Sequence, residues 1–298
     1  MRSVARAIPA AVVVCGMATS ACTVTVDSHN EILREEKHFK VSGTPTVRLK
    51  TFDGSIEIQG WDKAHVAIEI EKRGNSRQAL DDLEVKTQQT GDVIELEVKP
   101  PRAESFQGMG LRRGATARLI VSVPHRTNID ARSGDGSIKV ERVNGKLELR
   151  TSDGSIRASD IAGELSLDTN DGSVTVENAK GSLVVDTSDG SVNVTGTLAA
   201  VKLHTGDGSV VYRADAGSTM SDNWEITTGD GTVSVYLPAG FAAEVDAHTG
   251  DGAIRSEIDG LDSPSRESAR RTLKGQIGTG GKLLRIRTGD GSIRLRTN

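Results

Sequence analysis

The stretches LELRTSDGSIRA (147–158), LSLDTNDGSVTV (165–176) and LVVDTSDGSVNV (183–194) share one pattern. Apolar and polar residues alternate on both sides of a central Asp-Gly, which is typical of β-strands with one buried face. An Asp-Gly pair preceded two residues earlier by Thr or Ser occurs nine times, and the four intervals from Asp135 to Asp207 are each 18 residues long. A fixed period of this length predicts an array of stacked repeats.

Two columns accompany the repeat. Threonine stands two residues before the aspartate in eight of the nine units, and Ile or Val stands three residues after it in all nine. The alternation places both columns on the inward face, where the threonines should form a buried hydroxyl ladder between coils. A second glycine series, spaced by nine residues from Gly136 to Gly190, predicts two strands and two turns in each unit. Glycine suits both turns because it takes positive φ without strain.

Two all-β architectures fit this pattern. The first is a single-stranded β-solenoid, or β-helix, of about 18-residue coils with Asp-Gly turns, in which equivalent strands stack in parallel. The second is an antiparallel β-meander in which each Asp-Gly forms a hairpin turn. We favour the solenoid, because stacking requires every coil to present the same columns to its neighbour.

The chain divides into four predicted segments. They are a signal peptide of lipoprotein type over 1–21, a tether over 22–30, an N-terminal β-rich cap over 31–125 and the β-solenoid repeat domain over 126–298. Within the cap, residues 76–86 could include a short helix. Residues 262–282 read as a loop before the last unit.

The N-terminus predicts export. Arg2 and Arg6 precede an apolar run, and small residues then lead to Cys22. This pattern resembles a bacterial lipobox, in which the cysteine becomes the lipidated N-terminus, so Cys22 is the predicted lipidation site and the cell envelope the predicted location. Thr19 stands where such motifs usually carry an aliphatic residue, and ordinary cleavage after Ala21 is the alternative.

Composition narrows the function. Aromatic residues make up 3% of the 298 residues and the net charge is −4, which argues against nucleic-acid binding. No phosphate-binding loop, zinc-protease motif or nucleophile elbow occurs in the sequence. We therefore expect no cofactor and no enzymatic activity.

The aspartate column is the one candidate metal site. In a solenoid these carboxylates would line one edge about 5 Å apart, a spacing that invites a cation such as calcium. The signature of calcium-binding repeats is absent, so we favour turn chemistry, with each aspartate accepting hydrogen bonds from its own turn. The residues of the possible calcium ladder are Asp135, Asp153, Asp171, Asp189 and Asp207. The corresponding structural glycines are Gly136, Gly154, Gly172, Gly190 and Gly208.

Outward positions carry mixed charge. Arg150 beside Asp168 could form an ion pair between coils, and His204 and His248 occupy equivalent outward positions two coils apart in chain order. That separation is too large for one zinc ion.

Longer segments bring a family resemblance. FKVSGTPTVRLKTFDGSIEIQGWD (39–62) is followed by ARLIVSVPHRTNIDARSGDGSIKVERVNG (117–145), by successive Asp-Gly units, and by GQIGTGGKLLRIRTGDGSIRL (275–295). This order resembles a bacterial family with a domain of unknown function labelled "putative adhesin", related to the head-domain GIN adhesins of autotransporters. The resemblance spans residues 39–298 and implies a β-helical fold on exported or membrane-anchored proteins. It implies no catalytic residues.

The sequence thus predicts a non-catalytic, surface-anchored β-solenoid that acts as an adhesin or envelope binding module. Its partner would be a surface ligand, either a glycan or an envelope protein, and its membrane contact would be the lipid anchor. Two alternatives stay open. One is a carbohydrate-active β-helix enzyme, which requires outward acidic or arginine side chains on three neighbouring coils around a groove. The other is an envelope scaffold or sensory partner of membrane proteins.

Overall fold

The computed structural model describes residues 20–27, 30–100, 115–261 and 271–298. Nearly all the regular structure in these ranges is β-strand, so the all-β fold is confirmed. The exception is α1 (Arg77–Asp81), a short helix within the segment 76–86 where one was predicted. Its N-cap is Ser76, whose hydroxyl accepts a hydrogen bond from the amide of Ala79. Leu80 fixes the helix to the core.

The first half of the strands, in chain order, is β1 (Ser20–Asp27), β2 (Asn30–Lys40), β3 (Thr46–Thr51), β4 (Ile56–Trp61), β5 (His65–Gly74), β6 (Glu84–Thr90), β7 (Val93–Lys99), β8 (Ala115–Pro124), β9 (Asn128–Arg132), β10 (Ile138–Glu141) and β11 (Asn144–Thr151). The second half is β12 (Ile156–Ser159), β13 (Ala162–Thr169), β14 (Val174–Thr187), β15 (Val192–Thr205), β16 (Val210–Ala214), β17 (Trp224–Thr228), β18 (Val233–Leu237), β19 (Ala243–Thr249), β20 (Ile254–Ser256), β21 (Thr272–Ile277), β22 (Leu283–Thr288) and β23 (Ile293–Thr297).

These strands form two long ladders. Strands that precede the Asp-Gly turns, together with β6, β7 and β21, make the upstream ladder. Its spatial order is β6-β7-β3-β9-β11-β13-β14-β15-β17-β22-β19-β21. Strands that follow the turns, together with β1, β2, β5 and β8, make the downstream ladder. Its order is β1-β2-β5-β8-β4-β10-β12-β14-β15-β16-β18-β23-β20. The long strands β14 and β15 pass from the downstream ladder into the upstream one. The arrangement is solenoid-like and nearly closed.

The register follows the sequence period. In the upstream ladder Leu147 pairs in parallel with Leu165, 18 residues later, and Leu165 pairs in the same way with Leu183. The downstream ladder repeats the offset. Parallel pairing throughout the repeats rules out the antiparallel meander of hairpins.

The C-terminal unit lies out of chain order. Strand β22 pairs with β17 on one side and β19 on the other, and β23 lies between β18 and β20. The last unit in the sequence is therefore inserted between two earlier units. Strand β21 then covers β19 in antiparallel fashion. Part of the predicted loop 262–282 is thus a strand, while residues 262–270 lie outside the described ranges.

The N-terminal end is built in a similar way. Strands β7 and β8 pair with the outer sides of β3 and β4, although they follow them in the chain. On their other sides β3 and β4 pair in parallel with β9 and β10, so the array continues across residue 126. Antiparallel strands β6, β5, β2 and β1 complete this end.

The core lies between the ladders. It consists mainly of Leu, Ile and Val side chains from the inward positions. Tyr212, Trp224 and Phe241 widen it toward the C-terminal end, with ring centroids 5.4 Å apart for the first pair and 5.1 Å for the second. Such tilted and edge-on contacts are the favoured arrangements of aromatic rings.

One buried carboxylate organises the N-terminal strands. Glu71 in β5 is 2% exposed. Its carboxylate accepts hydrogen bonds from Arg34 Nε and Nη2 at 2.9 and 2.7 Å and from Arg73 Nε at 2.6 Å. Burial alone would raise the pKa of Glu71, but the two arginines outweigh it and hold the pKa below its usual value.

Replacing Glu71 by Gln should therefore destabilise the protein at neutral pH by about 1–3 kcal/mol. Because the folded-state pKa is lowered, the contribution is present above the unfolded-state value near 4.5 and is lost as the pH falls through the folded-state value. Chemical denaturation of both proteins at a series of pH values would show the two stabilities converge in acid. The matched control is Glu69→Gln, since Glu69 is 40% exposed and lies 3.4 Å from the same Arg34. Equal losses in the two variants would contradict this account.

Candidate functional site

The Asp-Gly edge depends on close backbone contact. A Cβ at Gly154, Gly172 or Gly190 would lie 2.0–2.3 Å from the carbonyl oxygen of the equivalent glycine one coil earlier. No side chain fits in that space, so these positions require glycine. The expectation of positive φ was wrong for Gly136, Gly154, Gly172, Gly190 and Gly208. Of the nine Asp-Gly glycines, Gly54 alone has a positive φ, at +139°. Positive φ occurs instead at the glycines of the other turn in each unit, at Gly163 (+127°) and Gly181 (+115°).

The threonine column joins successive coils, which confirms the predicted ladder. Thr205 is fully buried, and its hydroxyl donates to the carbonyl oxygen of Gly190 in the preceding coil at 2.9 Å. The same hydroxyl accepts the amide of Gly208 in its own turn at 3.2 Å. The partners are thus backbone groups and not other hydroxyls. The same carbonyl contact recurs at Thr151, Thr169, Thr187, Thr228, Thr249 and Thr288.

The predicted aspartate column lies exposed along this edge. The five residues Asp135, Asp153, Asp171, Asp189 and Asp207 are all exposed. The turn amides donate to carbonyls of the preceding coil, as Asp171 N does to Ser152 O at 3.2 Å. In the described ranges no hydrogen bond joins these carboxylates to their own turns, so the expected turn chemistry was wrong. No group of three or more His, Cys, Asp or Glu able to hold a metal occurs among the described residues. The calcium ladder stays a prediction.

The outward positions of the upstream ladder form straight rows. The row three residues before the aspartates runs, in space, through Glu97, Lys50, Arg132, Arg150, Asp168, Asp186, His204, Thr227, Arg287 and His248. The insertion of β22 places Arg287 between Thr227 and His248, so the two histidines lie three coils apart and not two. Arg150 pairs in register with Asp168, but its guanidinium contacts Glu148 of its own strand at 3.4 Å.

A groove lies at the N-terminal end of this row. It has a volume of about 780 Å³ and is lined by outward side chains of β3, β6, β7 and β9. The charged lining residues are Arg48, Lys50, Lys86, Glu95, Glu97, Asp130 and Arg132. The groove therefore has acidic and basic side chains on three neighbouring parallel strands and on the hairpin strand beside them.

Three ion pairs join six of the seven charged residues of the groove. Lys50 Nζ lies 3.3 Å from Glu97 and Arg132 Nε lies 2.9 Å from Asp130, while Arg48 pairs with Glu95. The hydrogen bond from Lys50, together with the charge of Lys99, lowers the pKa of Glu97. The lowered pKa favours the ionised form of the Glu97 carboxylate.

A comparison with protein families shows the family of this chain. The family model described as Toastrack DUF4097 matches residues 34–296. The chain belongs to the Toastrack DUF4097 family. The expected membership of a family with a domain of unknown function is confirmed, while the relationship to autotransporter head domains stays a prediction.

Several solved structures are similar to this Toastrack chain. A "putative lipid binding protein" from Parabacteroides distasonis is 14% identical with a TM-score of 0.44, over 88% of this chain and 96% of that one. A "putative adhesin" from Bacteroides fragilis is 10% identical with a TM-score of 0.39, over 88% and 96%. A "putative cell adhesion protein" from Clostridium sporogenes is 17% identical with a TM-score of 0.32, over 89% and 99%. No curated protein matches the chain.

The predicted leader and anchor fall outside the Toastrack match, which begins at residue 34. Residues 1–19 lie outside the described ranges. The backbone of Cys22 belongs to β1 and pairs opposite Glu35 of β2. Among the described residues, no helix is long and apolar enough to cross a membrane.

Sequence reasoning missed two groups of groove residues in this Toastrack chain. Glu95 and Glu97 lie in β7, and Lys86 lies in β6, a hairpin outside the strict repeat. The alternation in 92–101 does indicate a strand with Glu95 and Glu97 on one face. Nothing local shows that this strand pairs with β3, about 45 residues earlier in the chain.

The glycine contact can be tested with Gly172→Ala. The added methyl group would lie 2.0 Å from the carbonyl oxygen of Gly154, so neighbouring coils must move apart. We expect a loss of about 2–3 kcal/mol in the free energy of unfolding, measured by denaturant titration. Ser173→Ala, at the next and exposed position, is the control and should change stability by less than about 0.5 kcal/mol. An unchanged stability for Gly172→Ala would refute the close-contact account.

The threonine ladder can be tested with Thr205→Val, which keeps the side-chain shape and removes the hydroxyl. The Gly208 amide and the Gly190 carbonyl then lose a buried partner. Stability should fall by about 1–3 kcal/mol, measured by thermal and chemical unfolding. Thr227→Val removes a hydroxyl from an outward position one residue from buried Thr228, and should have little effect. Equal losses of stability in the two variants would show that the buried hydroxyl contributes no more than an outward one.

Proposed function

We propose that this Toastrack chain is a non-catalytic, exported binding module of the cell envelope that acts as an adhesin. In this proposal Cys22 carries a lipid anchor, and the outward faces of the ladders, built from 18-residue coils with Asp-Gly turns, contact a glycan or protein partner. The proposal includes a relationship to autotransporter head domains, which would extend the same role.

The observation that carries the proposal is the length of the in-register surface. Ten parallel strands from β7 to β19 present outward side chains in straight rows, which at ~4.8 Å per strand extend about 43 Å. Small-molecule sites are concave, mostly apolar and enclosed. A long, charged surface fits a macromolecule.

The residues that line the groove are those expected of the enzyme alternative, but the ion pairs among them argue against catalysis. It has outward Glu, Asp and Arg side chains on neighbouring strands, as a carbohydrate-active β-helix requires. Glycoside hydrolysis needs one carboxyl group with a raised pKa as the general acid. Here Lys50 lowers the pKa of Glu97, and Arg48 and Arg132 pair with the other two carboxylates. We therefore assign the groove to binding.

The proposal is tested by co-sedimentation of the full chain with purified cell-wall polymers and extracellular-matrix proteins, with millimolar calcium and with chelator. We expect saturable binding to at least one of these partners. Loss of binding in chelator would support the aspartate column as a calcium site.

Two results would overturn the proposal. Absence of binding in both conditions would favour the envelope scaffold, and native membrane complexes would then be isolated to find its protein partners. Turnover of a polysaccharide by the purified chain, removed by Glu97→Gln, would establish the enzyme instead.

A further inference from the structure

A cluster of arginines lies on the outward face of the downstream ladder, near its C-terminal end. Arg213 in β16 and Arg296 in β23 flank Tyr236 in β18, and Arg294 in β23 and Arg255 in β20 continue the cluster across the next strands. We call these five residues the arginine patch. With Glu257 beside it, the patch has a net charge of +3 on a chain whose net charge is −4.

The tyrosine holds two of the arginines in place. Arg213 and Tyr236 are register partners, and the guanidinium carbon lies 3.8 Å from the ring centroid. On the other side Tyr236 pairs in register with Arg296. Arg296 is the one member with a carboxylate partner, Glu257, at 3.0 Å. The patch is therefore partly ordered before any partner binds.

The other arginines are adjacent and unneutralised. Arg255 and Arg294 are direct register partners and both are exposed. Within the described ranges neither they nor Arg213 form a salt bridge. Like charges directly opposite on neighbouring strands are destabilising. The repulsion between Arg255 and Arg294 lowers the stability of the folded protein, and a bound anionic partner would offset it.

The other rows of the protein show that this arrangement is particular to the patch. Lys139 and Arg157 are also register partners on the downstream ladder, but Lys139 Nζ lies 2.6 Å from Glu141. In the upstream ladder Lys50 and Arg132 are opposite each other, and each has its own carboxylate. In each of these two pairs of facing cations at least one member has a carboxylate partner, whereas neither Arg255 nor Arg294 forms a salt bridge in the described ranges.

We propose that the arginine patch binds a linear acidic glycan laid across strands β16, β18, β23 and β20. Arginine presents a planar fork that matches carboxylate, sulfate or phosphate groups in bidentate fashion. Four strands at ~4.8 Å place the guanidinium groups over about 14 Å across the sheet, which suits successive charged units of an extended polymer. This inference rests on the proposed envelope-binding function and names its partner.

A glycan fits this surface better than a lipid bilayer does. Surface-bound membrane proteins insert large apolar side chains between headgroups. In the described part of the chain the one exposed large hydrophobic residue is Val184, in the upstream ladder and several strands from the patch. On this face Ser234 lies directly beside Arg294, and the aliphatic neighbour Val211, in register with Ser234, is partly buried.

The test uses the full chain and three variants on immobilised polygalacturonate and heparin, with uncharged dextran as reference. The patch variant is Arg255→Gln with Arg294→Gln. The matched control is Lys139→Gln with Arg157→Gln, which removes the same charge from register partners on the same ladder. The third variant, Tyr236→Leu, removes the ring beneath Arg213.

We expect saturable binding of the full chain to at least one acidic glycan and none to dextran. The patch variant should bind about tenfold or more weakly. The logarithm of its binding constant should fall less steeply with the logarithm of the salt concentration, by the contribution of about two ionic contacts. The control variant should bind like the full chain. Tyr236→Leu should weaken binding to an intermediate degree. Melting temperatures measured in parallel confirm that all variants are folded.

Equal weakening in the patch and control variants would overturn the inference, because binding would then follow total charge. No binding to either glycan would also overturn it. Patch-dependent binding to phosphatidylglycerol vesicles in excess of phosphatidylcholine vesicles, without glycan binding, would replace the glycan by a membrane. If the patch variant still binds cell-wall polymers as the full chain does, the inference fails while the proposed envelope function stands.

Discussion

The spacing between neighbouring strands is the constraint on which this structure depends. At ~4.8 Å the strands leave ample room for side chains that point inward or outward. At the Asp-Gly edge the chain turns, and the backbone of one coil lies directly on the backbone of the next. A methyl group on Gly172 would come within 2.0 Å of the Gly154 oxygen, which shows how little room is left there. Glycine relieves the contact, and the adjacent threonine hydroxyl supplies the hydrogen bonds that a crowded edge would otherwise lack.

Local signals in the sequence were enough to predict the middle of the molecule. Period-two alternation identifies the strands, and the fixed 18-residue interval identifies the stacking, because pairing in register repeats whatever the sequence repeats. The reason for glycine was misjudged. Turn propensity suggests positive φ, whereas the requirement at Gly172 comes from a residue one coil away, which no local pattern reveals. The aspartates were misjudged in the same way.

The two ends were less predictable for a different reason. Strands β22 and β7 could each pair with several strand edges, because any of these edges accepts a parallel strand with alternating apolar residues. The choice depends on tertiary packing, such as the Asp246 carboxylate that accepts from Arg287 Nη2 at 2.6 Å. Both candidate surfaces depend on these pairings, so the sequence does not predict them. The groove needs β6 and β7 beside β3, and the arginine patch needs β23 between β18 and β20. Their residues are visible in the sequence, but their proximity is not.

The out-of-order strands also determine where this architecture can vary in length. Both ends are closed by segments that return from elsewhere in the chain, so a unit added there would have to satisfy two distant partners at once. From β9 to β17 the strands of the upstream ladder follow one another in space in chain order, and between these two ends each unit pairs with the unit before it and the unit after it. Duplication of one 18-residue unit in that stretch would separate the groove from the arginine patch by one further strand spacing and leave both intact. The distance between the two surfaces is thus a quantity that evolution can adjust in steps of a single repeat.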